Sequence, residues 1–546
     1  MRDATRNERL LQGLLAAACL APLLFAFWNG GGLSAAERQY ALSADEAAVR
    51  RVQLFEAGGR SLLVAVATTL VAACLGIPAA WALAQRRRPL FLLVVCALPL
   101  ALPASVAVSG WVRMFAPGAA SSFAPPAITA GQVPRGLLFS PVGAALILGF
   151  SLWPLLAFEL MPAFRRARNE SYDAAVMTGS RWRAFLRVVL PQATGELAAG
   201  VLLTFLLAIS DFSVSSLLLI RTLPIEIHDA LMLGKTVSAA WAAAPLFLLV
   251  ALAAVVFSRL SRTRYHHGTP VEAPAGAPFS LTATVLLIGA VLLGFVAPLA
   301  GCAAGIPFRG KFTSVALTVG SDALTLSVRL AAAVALLSGL AAVLRVLAWP
   351  DTRTRALNSA GLILLAIPGS FLAAAVFSIQ LNAAAWLDSV ELSRAAALIP
   401  AASLGLALLV RFVYVPLRLV EEGLAAVDPE VMESAALAGH GRLSIAISVA
   451  LPLLLPHIAA STALVFILAL GEIPLADRLS PPGATTAMVW LFQQQHMGYD
   501  AGVFGLSFLM GLVCAGVLFA TGAGAAVASK VFHLARPEQI ENVTQA

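Results

Sequence analysis

The sequence predicts an all-α polytopic membrane protein with about 12 transmembrane helices in two parallel six-helix repeats. The first observation is composition: of 546 residues, 60% are hydrophobic and only 12% are charged, with a mean hydropathy of +0.88. A soluble protein could not bury so much apolar surface, so the chain must lie in a lipid bilayer. The second observation is a regular series of apolar stretches, and the third is a polar loop that occurs twice.

Six apolar stretches in the first half of the chain are each long enough to cross the roughly 30 Å hydrocarbon core. They occupy residues 10–28, 61–84, 90–114, 141–163, 194–220 and 240–260. The first follows three arginines and resembles a signal peptide as well as a span. We interpret it as a retained span, because every later arginine-rich loop then lies on the same side. The polar segment 28–61 is predicted to be folded on the outer side.

The second half repeats this order with stretches at residues 280–302, 324–348, 358–380, 395–419, 456–474 and 502–530. We therefore predict a first six-span repeat at residues 1–264, a linker at 265–278 and a second six-span repeat at 279–546. An even number of spans gives both repeats the same orientation. Arginine clusters between the spans mark the cytoplasmic side, which places the linker and both termini in the cytoplasm.

The third span of each repeat contains proline, in ALPLALPASV at residues 97–106 and in LLAIPGSFLA at residues 364–373. Proline inside a helix introduces a kink and leaves a backbone carbonyl without its intrahelical partner. In a membrane such a break is tolerated where a neighbouring helix or a wet path supplies a hydrogen bond. These breaks are therefore predicted to face other parts of the protein.

The loop that occurs twice reads YDAAVMTGSRWRAFLRVVLP at residues 172–191 and MESAALAGHGRLSIAISVALP at residues 432–452. In each copy an acid is followed by small residues, by a glycine six positions on, and then by an apolar run that ends in Leu-Pro. The acids are Asp173 and Glu433, and the glycines are Gly179 and Gly439. An acid before an alanine-rich turn favours a helix start, and glycine favours a break. Each copy predicts two helices joined by a turn.

These loops resemble the cytoplasmic sequence of permeases of bacterial ABC importers, which reads Glu-Ala-Ala, three residues, Gly, nine residues, Ile, one residue, Leu-Pro. The second copy matches this spacing through Pro452, with Ser434 in place of the first alanine and Val449 in place of isoleucine. The first copy begins with Asp173 and has one residue fewer between its glycine and Pro191. The first loop is therefore predicted to dock on its partner protein with a different geometry from the second loop.

The resemblance implies that both loops form coupling helices that dock on a separate cytoplasmic ATPase. It assigns this role to Asp173, Ala174, Ala175, Gly179 and Pro191 in the first loop and to Glu433, Ser434, Ala435, Gly439 and Pro452 in the second. Two copies in one chain resemble the fused two-domain permeases of ferric-iron and thiamine importers. The implied partners are two ATPase subunits, a periplasmic or lipid-anchored solute-binding protein and the lipid of a bacterial inner membrane.

Two acids within the membrane are candidate residues of the translocation path. Asp211 and Glu472 each follow the proline of their loop, Pro191 or Pro452, by 20 residues. A carboxylate near the end of a span is costly unless it faces water or a partner, so either the pair lines the path or each acid caps a helix and pairs locally. A shared acidic path would suit a cation, which favours ferric iron and then thiamine. Sulfate, polyamine and phosphonate remain alternatives.

Other classes of protein fit the sequence less well. A 12-span secondary transporter has no reason for paired loops of this kind before the fifth span of each repeat, and a membrane-bound enzyme would need clustered catalytic residues. The stretch LGKT at residues 233–236 resembles the end of a phosphate-binding loop. Such a loop requires a glycine five residues before Gly234, and this chain has Asp229 at that position. We predict no catalytic site, no cofactor and no metal site. We also predict no nucleic-acid partner, because the net charge of +8 comes from arginines that flank spans.

Overall fold

The computed structural model describes most of the chain as helices with short connections. The described residues are 44–86, 90–115, 133–167, 170–260, 281–306, 314–347, 355–389, 398–427, 429–481, 483–498 and 501–534. The predicted first span at 10–28, the linker at 265–278 and most of the outer loop before residue 133 lie outside them. Within the described part there is no strand, which confirms the predicted all-α class.

The first repeat contributes eleven described helices. They are α1 (Ala44–Ala84), α2 (Leu90–Ala101), α3 (Ala104–Phe115), α4 (Val133–Leu138), α5 (Pro141–Arg166), α6 (Glu170–Thr178), α7 (Arg181–Gln192), α8 (Thr194–Ile209), α9 (Ser213–Leu217), α10 (Leu223–Met232) and α11 (Thr236–Leu260).

The second repeat follows the same order from its first span onward. Its helices are α12 (Leu281–Val291, continued through Leu292–Val296 to Ala297–Ala304), α13 (Ser314–Leu347), α14 (Arg355–Ala366), α15 (Gly369–Ser389), α16 (Ile399–Phe412), α17 (Tyr414–Ala426), α18 (Pro429–Leu437), α19 (Arg442–Leu470), α20 (Pro474–Leu479), α21 (Ala487–Met497) and α22 (Ala501–Leu534).

Among the described residues, eight helices are long and apolar enough to cross a membrane, or ten if each of two bent pairs forms one span. The apolar stretch Ala239–Ala253 of α11 is shorter than these spans and lies on the predicted sixth span. Two predicted boundaries were wrong. Helix α1 begins at Ala44, so the polar end of the predicted outer segment continues into the span as one helix. The fifth span ends at Ile209 rather than residue 220, because the chain turns there into the short helix α9.

Prolines locate the irregular turns of the spans. The two helices of the third span, α2 and α3, meet at an angle of 78° beside Pro103. Three π-helical segments, Phe185–Val189, Leu292–Val296 and Ala446–Ala450, each end two residues before a proline. Proline has no N–H to donate to the preceding turn, and a wider turn accommodates that missing hydrogen bond.

One pair of matching hydrogen bonds supports the internal repeat. The Ser61 hydroxyl accepts the backbone N–H of Leu223 at 2.8 Å, which starts α10. In the second repeat the Ser327 hydroxyl accepts the backbone N–H of Ala487 at 2.7 Å, which starts α21. In each case a serine of the second span accepts the first N–H of a helix that follows the fifth span, so this contact is the same in both repeats.

The repeats interlock along an interface that we call the seam. Helix α11 packs against α14, and α22 packs against α2, so the last span of each repeat contacts the third span of the other. The second repeat's α12 crosses α3 at Gly110 and Gly301, where a Cβ added at Gly110 would lie 1.9 Å from a backbone oxygen. Small residues allow two membrane helices to approach this closely, which increases their dispersion contacts.

The fifth span of each repeat ends at the proline break of the other repeat's third span. The Ser210 hydroxyl donates to the backbone oxygen of Ala366 at 2.6 Å, just before Pro368. On the opposite side, a Cβ at Gly471 would lie 3.6 Å from Pro103. The carbonyl exposed at one break thus has a partner from the other repeat, as the sequence predicts for a break within a membrane.

Candidate functional site

The duplicated loops form two short helices of nine residues each, α6 and α18. We call them the loop helices. Each follows the fourth span of its repeat and is followed by a turn and a second helix, as predicted. The acids Asp173 and Glu433 are exposed, and Ala175 and Ala435 are half-buried. The same positions of the two loop helices therefore face outward, which supports a surface that each repeat presents to a partner.

The first loop helix is held to the membrane spans by aromatic packing. The buried ring of Tyr172 lies 5.6 Å from Trp81 in an edge contact, and Trp81 in turn lies 4.9 Å from Phe185 of α7. Phe185 also meets the fully buried Phe164 at the end of the fourth span. Such pairs add about 0.5–1.5 kcal/mol each beyond their buried area, so α6 and α7 are fixed to the spans.

The second loop helix is anchored by aliphatic residues. Met432, at the position of Tyr172, packs against a buried cluster that includes Ala342, Val346 and Val420. Val420 lies on the fourth span and the other two lie on the second span of the same repeat. Each loop helix is therefore attached to the spans of its own repeat, so a force on a loop helix reaches those spans.

One exposed apolar residue on each loop helix was not identified from the sequence. Met177 and Leu437 lie four residues after the acids Asp173 and Glu433, and their relative exposures are 88% and 89%. Residues four apart share a helix face, so each loop helix presents an acid and an apolar side chain together. The matching offset in the two copies was the sequence signal that could have identified them. The same pair of side chains, an acid and an exposed apolar residue, thus occurs on both loop helices.

The turn after each loop helix differs between the repeats. Gly439 has a φ of +85°, a left-handed conformation that closes α18 with backbone bonds from His440 to Ala435 and from Gly439 to Ala436. Gly179 is not one of the described glycines that have a positive φ. Ser180, the next residue, already caps the following helix. The residue missing from the first loop thus corresponds to a shorter turn without a left-handed glycine.

Replacing each glycine by alanine should affect ATPase binding differently in the two loops. A Cβ at Gly439 meets nothing within 4 Å, and a Cβ at Gly179 makes an ordinary 3.6 Å contact, so neither change causes a clash. A left-handed alanine costs roughly 1–2 kcal/mol, which only Gly439→Ala incurs. We expect Gly439→Ala to weaken binding of the ATPase by up to about thirtyfold and Gly179→Ala to leave it near wild type, as measured by titrating the ATPase onto the immobilised permease. An equal loss in both variants would contradict the role of the left-handed turn.

The two predicted path acids have local partners. The Asp211 carboxylate accepts the backbone N–H groups of Val214 and Ser215 at 3.0 and 3.2 Å, and so caps the first turn of α9. The Glu472 carboxylate lies 3.4 Å from the guanidinium of Arg411, with both side chains about one-tenth exposed. Of the two roles predicted for these acids, lining the path or capping a helix and pairing locally, the contacts match the second. A role in the translocation path stays a prediction for both acids.

Arg411 links the same region to the proline break of the third span. Its guanidinium donates to the backbone oxygen of Ile367 at 2.8 Å, next to Pro368. Glu472, Arg411 and the break therefore form one connected group at the end of the fifth span. In the first repeat a backbone cap holds Asp211, so the two acids occupy matching positions but have different environments.

Comparison with known proteins identifies the class of this all-α membrane chain. A family model for the binding-protein-dependent transport system inner membrane component matches residues 65–267. A sulfate transport system permease protein from Synechocystis sp. is 30% identical over 229 residues, which cover 38% of this chain and 80% of the relative. A probable molybdenum ABC transporter permease protein from Haloferax volcanii is 30% identical over 224 residues, or 40% of this chain and 76% of the relative.

More distant relatives point to the same class. A sulfate transport system permease protein from Escherichia coli is 27% identical over 155 residues, which cover 28% of this chain and 54% of the relative. No solved structure matches the chain. The chain belongs to the family of binding-protein-dependent transport system inner membrane components. It is accordingly a multi-pass inner-membrane permease subunit of an ABC importer, a class that works with an ATPase and a solute-binding protein.

Proposed function

We propose that this single chain supplies both halves of the transmembrane pathway and binds one ATPase subunit at each loop helix. The observation that carries the proposal is the duplicated loop helix with matching exposed acid and apolar residues, Asp173 with Met177 and Glu433 with Leu437. The alignment supports it, since 80% of the Synechocystis relative corresponds to 38% of this chain. The energy for import would come from ATP hydrolysis by these separate subunits, and the chain itself would carry out no chemical step.

The orientation of the chain is part of this proposal. The loop helices lie on the side of the arginine-rich loops, so we assign them, the linker and both termini to the cytoplasm. A periplasmic or lipid-anchored binding protein would then deliver the solute to the outer ends of the spans, near α10 and α21. Each of these helices is attached to the second span of its own repeat through Ser61 or Ser327.

For the substrate we propose a small tetrahedral oxyanion, such as sulfate or molybdate. The named relatives are sulfate and molybdenum permeases. The local contacts agree with an anion, because the negative charge of Asp211 is held by two backbone N–H groups and that of Glu472 by Arg411. A carboxylate compensated in this way offers little attraction to a passing cation and little repulsion to an anion.

Ferric iron is the second candidate, and thiamine is the third. They were favoured by the resemblance of the fused arrangement to ferric-iron and thiamine importers and by the matching positions of Asp211 and Glu472. If these acids exchange their local partners for the substrate during transport, they would create a path suited to a cation. Direct uptake measurements distinguish the candidates, because oxyanions compete with each other and do not compete with ferric iron or thiamine.

Uptake should be measured in cells that depend on this permease, with labelled sulfate, molybdate, ferric iron and thiamine supplied separately. We expect uptake of a labelled oxyanion that requires the chain and falls when an excess of the other unlabelled oxyanion is added. The control is the same strain with an ATPase that cannot hydrolyse ATP. Chain-dependent uptake of ferric iron or thiamine, with no uptake of either oxyanion, would contradict the proposed substrate class.

A further inference from the structure

A buried ion pair crosses the seam on the side of the loop helices. The guanidinium of Arg418, on α17 of the second repeat, lies 3.6 Å from the carboxylate of Glu159, on α5 of the first repeat. The two side chains are only 11% and 12% exposed. Arg418 also contacts Glu422, one turn along its own helix, at 2.7 Å. The opposing charges thus join the fourth spans of the two repeats where little water can screen them.

The two positions lie at nearly the same height on the fourth spans of their repeats, although the duplicated loops, which align Asp173 with Glu433, align Glu159 with Leu419 rather than with Arg418. Glu159 precedes Glu170, the first residue of its loop helix, by eleven residues, and Arg418 precedes Pro429, the first residue of the other loop helix, by eleven residues. Both lie about two turns before the end of their helix. Residues at the same height on related helices that contact each other lie near the axis that relates the repeats.

We propose that Glu159 and Arg418 form a latch that closes the cytoplasmic end of the seam when the two loop helices are drawn together, and that opens when they separate. This proposal rests on the docking role of the loop helices. The fourth spans lead directly into those helices, so closure of the ATPase would bring the two spans and their charges together. The ion pair stabilises this closed arrangement, and the seam opens to the cytoplasm as it breaks.

Loss of the latch is expected to weaken ATP binding, although the ATP site lies on the ATPase and the ion pair lies in the spans. If the pair stabilises the closed arrangement, removing it lowers the population that is competent to bind ATP tightly. A fivefold fall in that population raises the apparent dissociation constant of its ligand fivefold. Neither residue lies on the ATPase, so a change in the KM for ATP with little change in kcat would report the arrangement of the spans.

The test measures ATP hydrolysis by the purified complex of permease and ATPase in lipid nanodiscs. We expect Glu159→Gln and Arg418→Gln each to raise the KM for ATP by about fivefold with kcat little changed. The double variant should raise the KM no further than Arg418→Gln alone, because that change already removes the interaction with Glu159. An unchanged KM in both single variants, or full multiplication in the double variant, would overturn the proposal.

A second buried ion pair provides the matched control. Arg345 and Glu421 lie 3.8 Å apart, are each 9% exposed, and belong to the same repeat. Glu421→Gln should lower the melting temperature of the complex and leave the KM for ATP unchanged. An equal rise in KM in this variant would show that general destabilisation is responsible and would contradict the latch. Loss of ATPase binding caused by changes in the loop helices is a separate outcome, since every complex in this experiment already contains the ATPase.

Discussion

The double change Met177→Asp with Leu437→Asp is expected to release the ATPase from the permease. Each residue is almost fully exposed on its loop helix, and a side chain that acts as a hot spot of an interface contributes about 2 kcal/mol or more when truncated. An aspartate at that place also buries an unpaired charge in the complex. We expect each single change to weaken binding about 30-fold or more and the double change to prevent co-purification.

The internal repeat supplies its own control for this experiment. Methionine occupies the position in the first loop helix that leucine occupies in the second, so Leu437→Met and Met177→Leu keep an apolar side chain of similar volume at each site. Both variants should bind the ATPase nearly as well as wild type. Retention of the ATPase by the double aspartate variant, with correct insertion in the membrane, would contradict docking at the loop helices.

Loss of the carboxylate at Glu472 is expected to destabilise the folded chain strongly. Glu472→Gln leaves Arg411 largely buried without its ionic partner, and breaking a buried pair from one side typically costs about 3–5 kcal/mol. We expect a large fall in the melting temperature and in the yield of folded complex. Transport per folded complex should be unchanged if the acid is structural.

Asp211→Asn is the informative companion to that variant. Asparagine caps a helix about as well as aspartate, so the bonds to Val214 and Ser215 can be kept without the charge. We expect stability and transport close to wild type. A clear loss of transport at normal stability would show that the negative charge itself acts on the substrate, and would support the cation path.

Much of the fold and of the candidate site could be predicted from local sequence patterns. Apolar stretches located the spans, because a bilayer demands long uninterrupted apolar helices. The two loops were found because an acid, a glycine and Leu-Pro recur in the same order, and prolines marked the breaks in the third spans. The start of α1 was misplaced because a polar helix that continues into a span has no local stop signal.

Contacts between the repeats could not be predicted in the same way. The pairing of Glu159 with Arg418 joins residues far apart in sequence, and nothing local to either one shows which helix faces it. The partners of Asp211 and Glu472 depend on how the chain turns after the fifth span, so the sequence left capping and path lining as equal alternatives. Met177 and Leu437 became candidates because their side chains are exposed. Their exposure is known only once the packing of the loop helices on the spans is known.

The central claim is that one chain carries two docking sites for the ATPase, and the mass of the intact complex tests it most directly. Native mass spectrometry of the complex purified through a tag on this chain measures how many copies of each subunit are present. One copy of the 56.7 kDa chain with two ATPase subunits is the predicted result. A complex with one ATPase subunit for each chain, as in an assembly of two chains with two ATPases, would contradict it.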